Sequence, residues 1–424
     1  MHIIPIAKPL SAMVRVPGSK SLTNRALMIA ALAQGTTRIT NALFSDDSRY
    51  FADALRTLGF EVIANPETAE MVVNGQGGRI PALRAKLFVG NAGTAARFLS
   101  AFLTLGEGEY VLDGDERMRQ RPISDLVAAL KRLGARMEID ANGCPPVQIS
   151  ASGLPGGRTE VAGDISSQFL SALLMAAPYA NNDVEIRVST ELNSKPYVDM
   201  TIAIMKEFGV GVERSGYNLF RPQRAKYLAL PAYEIEPDAS AASYFMAAAA
   251  VCGGSVHIEG ISRRSKQGDI GFVDILENMG CSVREDSGGI RVEASGKIHG
   301  VDVDMRDISD TAQTLAVVAP FAATPTRIRG IASSRVKETD RVAAVCIELA
   351  RMGVQVIEHE DGMTIYPCDK IQPTTVKTYR DHRMAMAFAL IGLRTPGIQI
   401  DDPGCVSKTF PGYFEVLGAI RPER

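Results

Sequence analysis

At 424 residues the chain is longer than one ordinary hydrophobic core supports, so two domains are expected. Hydrophobic residues at 46% and charged residues at 22% describe a soluble globular protein, and a formal charge of -2 excludes the basic excess of a nucleic-acid binder. Six scattered cysteines with no CxxC and five histidines with no HExxH indicate neither a disulfide frame nor a zinc site, so no protein-held metal is expected. The opening residues lack a basic segment leading into a long apolar core, and apolar runs such as 245–252 are too short to span a bilayer. The expectation is a cytoplasmic protein with no membrane partner.

Taken in order, the chain repeats itself. An amphipathic helix that ends in an apolar residue and Gly, followed by an alternating strand, recurs at Gly59, Gly134, Gly209, Gly280, Gly353 and Gly418, at spacings of 75, 75, 71, 73 and 65. Each glycine is expected to stop its helix in the left-handed conformation. Interleaved with these is a second helix with a short polar start and a nearly all-apolar body. It begins at Ser21, Thr94, Ser167, Ser240, Thr311 and Arg383, at spacings of 73, 73, 73, 71 and 72. A helix apolar on every side is a buried one. The reading is an α/β fold of two domains, each made of three repeated strand/two-helix units with buried parallel helices, an inside-out α/β barrel. The connection between domains is placed at Leu230–Asp238, which holds two prolines and a charge cluster.

The polar starts carry the chemistry. They are Gly18–Ser21 with Asn24 and Arg25, Asn91–Arg97, Ser166–Gln168, Asp238–Ser240, Asp307–Thr311 and Asp381–Arg383. The most explicit is Gly90–Phe98, read as a strand end, a turn over Gly90–Gly93 and a helix from Thr94 to Leu105. The first turn of a helix leaves N–H groups unpaired and carries the positive end of the dipole, which stabilises an anion. Gly93 has no Cβ to keep a ligand from the backbone, and Arg97 lies one turn further in on the same face. Any one Ser or Thr here reads as an ordinary helix cap, but the whole set points to an anionic site.

Five segments carry a resemblance that runs the length of the chain. Pro17–Ala26, Gly90–Arg97, Arg335–Arg341, Asp381–Met386 and Lys408–Pro411 are similar, in this order, to the signature segments of the 5-enolpyruvylshikimate-3-phosphate synthases, a family of enolpyruvyl transferases. The resemblance implies a domain of residues 1–17 and 237–424, a second of residues 18–236, and an active site in the cleft between them. The implied reaction moves the enolpyruvyl group of phosphoenolpyruvate to the 5-hydroxyl of shikimate 3-phosphate and releases phosphate. By the family's pattern Lys20, Ser21, Arg25, Ser166, Ser167, Gln168, Ser194, Tyr197, Asp310, Ser333 and Lys337 face shikimate 3-phosphate. Lys20, Gly93, Arg121, Gln168, Arg341, Arg383 and Lys408 face phosphoenolpyruvate. Asp310 is assigned as base toward the 5-hydroxyl, and Glu338 with Lys20 to proton traffic at the phosphoenolpyruvate carbon. No cofactor is implied, a monomer is expected, and glyphosate is a candidate inhibitor.

The charge arithmetic is independent of the resemblance. Two phosphates and two carboxylates bring roughly six negative charges together. Lys20, Arg25, Arg97, Arg121, Lys337, Arg341, Arg383 and Lys408 supply eight cations at motif positions. Three residues depart from the family's pattern: Phe98 stands where well-known members have Pro, Ser333 where an Asn is common, and Arg380 where an acid usually precedes Asp-His-Arg. Phe98 is expected to shift the Gly93 helix and with it the response to inhibitors. The alternatives are a UDP-N-acetylglucosamine enolpyruvyl transferase, against which the absence of Cys from 108–121 argues, and a non-catalytic anion- or RNA-binding relative.

Overall fold

The computed structural model describes residues 1–421 of the chain. Its twelve α-helices, among the described residues, are α1 (Lys20–Leu32), α2 (Asp46–Thr57), α3 (Gly93–Leu103), α4 (Ser124–Arg132), α5 (Ser167–Ala176), α6 (Lys195–Glu207), α7 (Ala239–Cys252), α8 (Phe272–Asn278), α9 (Ala312–Val318), α10 (Arg341–Arg351), α11 (His382–Gly392) and α12 (Tyr413–Ala419). The odd-numbered helices are the ones with a polar start and a nearly all-apolar body. Every residue of α3 and α11 is buried, as is all of α1 from Leu22 onward. Alanines dominate α7, whose small side chains let neighbouring elements approach on all sides. Even-numbered helices such as α2 and α10 bury one stripe, which takes in a few charged residues, Asp47 in α2 and Arg341 and Glu348 in α10, and turn most of their other polar residues outward.

The chain forms two compact units, residues 18–235 and residues 1–17 with 236–424. Each has its own hydrophobic core. The first unit contains three four-stranded sheets, and the second contains two four-stranded sheets and a two-stranded one, among the described residues. The four-stranded sheets share one pairing scheme, a parallel pair continued by two antiparallel neighbours, as in the sheet of strands 84–88, 107–113, 147–152 and 136–139. In that sheet the parallel strands flank α3 in sequence, a β-helix-β crossover that lays the buried helix over the sheet. Strand Leu10–Val14 instead pairs in parallel with Gly254–Glu259, which ties the first seventeen residues to the C-terminal half of the chain.

Two kinds of glycine shape these elements. Gly59, Gly134, Gly209, Gly280 and Gly353 take φ between 80° and 103° after their helices, the left-handed stop that their spacing implies. Gly418 departs from the expectation. It lies inside α12, which runs on to Ala419, and no strand follows among the described residues to demand such a stop. Gly75 serves close approach instead: a Cβ there would sit 2.2 Å from the carbonyl oxygen of Ala30 in α1. None of the twelve helices is long and apolar enough to cross a membrane.

Candidate active site

The first group of site residues lies within residues 18–235. Ser19 caps α1 by accepting from the Leu22 N–H at 3.4 Å, which starts the helix at Lys20. The Lys20 ammonium stands 3.8 Å from Asp47 of α2, a nearly buried carboxylate that its sequence neighbourhood does not single out. One turn further along α1, Arg25 is 1% exposed. Its Nε donates to Thr201 Oγ1 at 2.8 Å, Nη1 to the Ser21 carbonyl at 2.9 Å, and Nη2 to Ser171 Oγ at 3.3 Å and the Tyr197 carbonyl at 3.2 Å. All of these partners are neutral oxygens. Burial accordingly draws the Arg25 guanidinium down to about 10, against a smaller opposing effect of Tyr197, and no carboxylate among the described residues bonds it.

Phe98 belongs to this arrangement. Its fully buried ring lies under the Arg25 guanidinium at 5.2 Å, a cation–π contact that offsets part of the cost of burying the charge. The helix that contains it starts at Gly93, one residue before the expected Thr94, with Ala92 as a cap that offers no side-chain acceptor.

Around Gly93 the cations converge. A Cβ built there would lie 2.5 Å from Arg121 Nη2 and 2.8 Å from Arg97 Nη1, so both guanidiniums press on the bare glycine backbone. Arg97 donates to the carbonyls of Gly93 at 3.2 Å and Pro122 at 2.8 Å, and Arg121 to the Asn91 carbonyl at 3.1 Å and side chain at 2.9 Å. Gln168 Nε2 reaches Thr94 Oγ1 at 3.4 Å, and Ser166 caps α5. Ser167 is buried at its first turn. Ser194 caps α6 in the left-handed region, φ 56°, and its carbonyl accepts from the Tyr197 N–H at 3.0 Å. The starts of α1, α3, α5 and α6 thus meet through these side chains. Thr201, Ser171 and Asp47, which complete the group, lie outside every motif and are recognised only once the fold brings them in.

The second group lies in the other unit and is ordered around one carboxylate. Asp310 accepts from Lys337 Nζ at 2.6 Å, Arg383 Nη2 at 2.6 Å and Arg341 Nη1 at 3.3 Å. Arg341 also meets Glu338 at 2.8 Å and Asp381 at 2.7 Å, and Lys408 stands 3.9 Å from Glu338. Lys337 bonds Ser309 at 3.1 Å, and Arg383 donates to the Tyr244 hydroxyl at 3.3 Å. Ser333 sits in the 3-10 turn 332–336 just ahead of Lys337, half-buried and not bonded to this cluster.

The electrostatics of this cluster are set by competition. Burial lowers Arg341, but the carboxylates of Asp381, Glu338 and Asp310 outweigh it and hold the guanidinium well above its ordinary value. Lys337 ends on the other side: burial, helped by Arg341 and Arg383, holds its ammonium below the usual lysine range despite Asp310. Lys337, Arg341, Arg383 and Lys408 face Asp310, Glu338 and Asp381, so cations and carboxylates are interleaved through this cluster. Burial pushes the thiols of Cys252, Cys346 and Cys405 up to about 12 and that of Cys281 up to about 11, which disfavours their thiolates.

The sequence model of the family described as EPSP synthase (3-phosphoshikimate 1-carboxyvinyltransferase) matches residues 4–417. The chain belongs to the EPSP synthase family. Its enzyme class is the family's, a transferase of the shikimate route to aromatic amino acids, and the family implies shikimate 3-phosphate and phosphoenolpyruvate as substrates. The chain is 50% identical over 408 residues to a 3-phosphoshikimate 1-carboxyvinyltransferase of Trichormus variabilis, covering 96% of each. It is 46% identical over 426 residues to that of Shewanella denitrificans, covering 100% of this chain and 99% of the relative. A chloroplastic EPSP synthase relative from Solanum lycopersicum is 48% identical over 428 residues, with 97% and 82% covered. A solved structure of EPSP synthase from Acinetobacter baumannii superposes with a TM-score of 0.82 at 27% identity, over 99% of this chain and 97% of that one.

Proposed function

We propose that the two groups of side chains serve one pair of substrates. Shikimate 3-phosphate is taken by Lys20, Ser21, Arg25, Ser166, Ser167, Gln168, Ser194, Tyr197, Asp310, Ser333 and Lys337. Phosphoenolpyruvate is taken by Lys20, Gly93, Arg121, Gln168, Arg341, Arg383 and Lys408. The observation that carries this reading is the contrast between the groups: Arg25 is a buried cation with only neutral partners, while Asp310 is a single carboxylate held by three cations. Arg25 suits a dianionic phosphate that supplies the missing charge. Asp310 suits a base, because its partners fix its oxygens in place.

In the reaction the 5-hydroxyl oxygen attacks the substituted carbon of phosphoenolpyruvate, its proton passes to Asp310, and a proton is delivered to the methylene carbon to give a methyl group. The tetrahedral intermediate then loses a proton from that methyl as the carbon–oxygen bond to phosphate breaks. Glu338 and Lys20 carry the proton at carbon, and Arg341, Arg383 and Lys408 stabilise the oxyanions of the intermediate. Such a site is built from helix starts of a fold with three repeated strand/two-helix units per domain, an inside-out α/β barrel. The working form is a cytoplasmic monomer without a cofactor. Phosphate release from phosphoenolpyruvate tests the assignment: it is expected with shikimate 3-phosphate and not with UDP-N-acetylglucosamine, and the reverse would assign the chain to the other branch.

Closure follows from the same reading. Ligand groups divided between residues 18–235 and the rest of the chain require a substrate to draw both sets together. Addition of shikimate 3-phosphate should therefore reduce the radius of gyration in small-angle scattering, and an unchanged value would count heavily against a shared site.

Gly93 gives a further expectation. A methyl group at 93 collides with the Arg121 and Arg97 guanidiniums, and the flexible ends of these side chains yield at the expense of their place in the site. Gly93→Ala should raise KM for phosphoenolpyruvate several-fold and weaken glyphosate, which reaches further, by a larger factor. Inhibition kinetics on the variant check it, and equal or tighter glyphosate binding would refute the placement.

A further inference from the structure

The segment Lys377–Asp381, which leads into α11, is held in an unfavourable shape. Tyr379 and Arg380 are consecutive non-glycine residues with φ of 55° and 56°. Side chains with a Cβ resist that conformation, so it persists only where the surroundings impose it. Asp401 holds part of the segment, accepting from the Thr378 N–H at 3.0 Å, and one face of α10 holds the rest. Arg341 at the start of that helix grips Asp381, with Nε 2.7 Å from Oδ2 and Nη2 3.3 Å from Oδ1. Two turns on, at the next position of the same face, Glu348 is fully buried. Its Oε1 accepts from the Tyr379 hydroxyl at 2.9 Å and its Oε2 from the Lys377 N–H at 3.1 Å, while Arg351 pairs with the same carboxylate.

We propose that Glu348 is a positioning residue for the phosphoenolpyruvate site, acting through Tyr379 and the Lys377 backbone on Asp381 and Arg383. The connection is continuous. Asp381 caps α11 by accepting from the Arg383 N–H at 2.9 Å, and its own N–H is turned back onto the Thr378 carbonyl at 2.9 Å. The left-handed pair therefore sets where the Asp381 carboxylate points, and that carboxylate in turn orients Arg341 and the first turn that carries Arg383. A plain packing role does not require a buried carboxylate that spends one oxygen on a phenol and the other on a backbone N–H. Burial and the bond to Glu348 push Tyr379 up to about 12, so the phenol remains a donor throughout the working pH range. Arg380, which stands where an acid is usual in the family, is exposed and has no part in the clamp.

The proposal rests on the assignment of Arg383 and Arg341 to phosphoenolpyruvate, and the test separates the two claims. Steady-state kinetics are measured on Tyr379→Phe, Glu348→Gln, Arg380→Gly and the Tyr379→Phe/Arg380→Gly double variant, with Arg383→Ala beside them. Tyr379→Phe should raise KM for phosphoenolpyruvate about tenfold and leave KM for shikimate 3-phosphate within about twofold. Glu348→Gln keeps one acceptor oxygen and should fall in between. Arg380→Gly should keep wild-type kinetics, and in the double variant it should recover most of the lost affinity, because glycine takes a positive φ without a clamp. Glu348 has no positioning role if Tyr379→Phe and Glu348→Gln lower only the melting temperature, or if both KM values rise together. If Arg383→Ala raises KM for phosphoenolpyruvate and these two variants do not, the clamp alone is wrong. If Arg383→Ala leaves that KM unmoved, the reading of the site falls first and the clamp with it.

Discussion

Replacing Asp310 with Ala should lower kcat by roughly a hundredfold to ten-thousandfold, the usual worth of a positioned acid or base. The opposite expectation follows if Asp310 merely balances charge. Lys337, Arg341 and Arg383 all bond it, and without it three cations would face one another and attract anionic substrates more strongly. Turnover would then survive while KM fell. If the carboxylate takes the hydroxyl proton, kcat collapses and KM for shikimate 3-phosphate rises as well, because the same oxygens bond the hydroxyl in the ground state. Glu338→Ala should lower kcat comparably with a smaller effect on KM, the pattern of a group that acts chiefly in the transition state. Steady-state kinetics of both variants decide between the expectations once circular dichroism shows them folded. Near-normal kcat in both would refute the mechanism.

The helices were legible in the sequence because burial on all sides leaves a local trace. The starts read at Ser21, Thr94, Ser167, Ser240, Thr311 and Arg383 fall within one residue of the observed helix starts. Motif cations such as Lys337 and Arg341 sit near one another in the chain, so the cluster around Asp310 was partly visible as well. What did not show is long-range support. Thr201 and Ser171 lie 176 and 146 residues from Arg25, and nothing in their own surroundings marks them as partners of a guanidinium. Phe98 is the instructive case. As a departure from the family's pattern it implied a displaced helix, and what its sequence position did not show is that the ring packs beneath Arg25. The left-handed pair at Tyr379 and Arg380 was equally hidden, since neither residue type favours it and the groups that hold the segment, Glu348 and Arg341 before it and Asp401 after it, lie at a distance in the chain.

Arg25→Met should leave the fold as stable as before or more so, and should raise KM for shikimate 3-phosphate by roughly a hundredfold. Both halves come from the same geometry. A guanidinium 1% exposed, with no carboxylate partner, carries a desolvation cost that its bonds to neutral oxygens and the Phe98 ring only partly offset. Methionine fills similar space without that cost and suits the ring of Phe98. The oxygens it would leave behind are not stranded, because Thr201 Oγ1 donates to Ser171 Oγ at 2.9 Å and lies 2.8 Å from the Tyr197 carbonyl. The affinity loss is about 3 kcal/mol, the order of a hydrogen bond to a charged group left unmade in a buried setting. Thermal unfolding and substrate titration on one preparation measure both. A variant that loses stability together with affinity would make Arg25 a structural residue, and one that keeps both would remove it from the phosphate site.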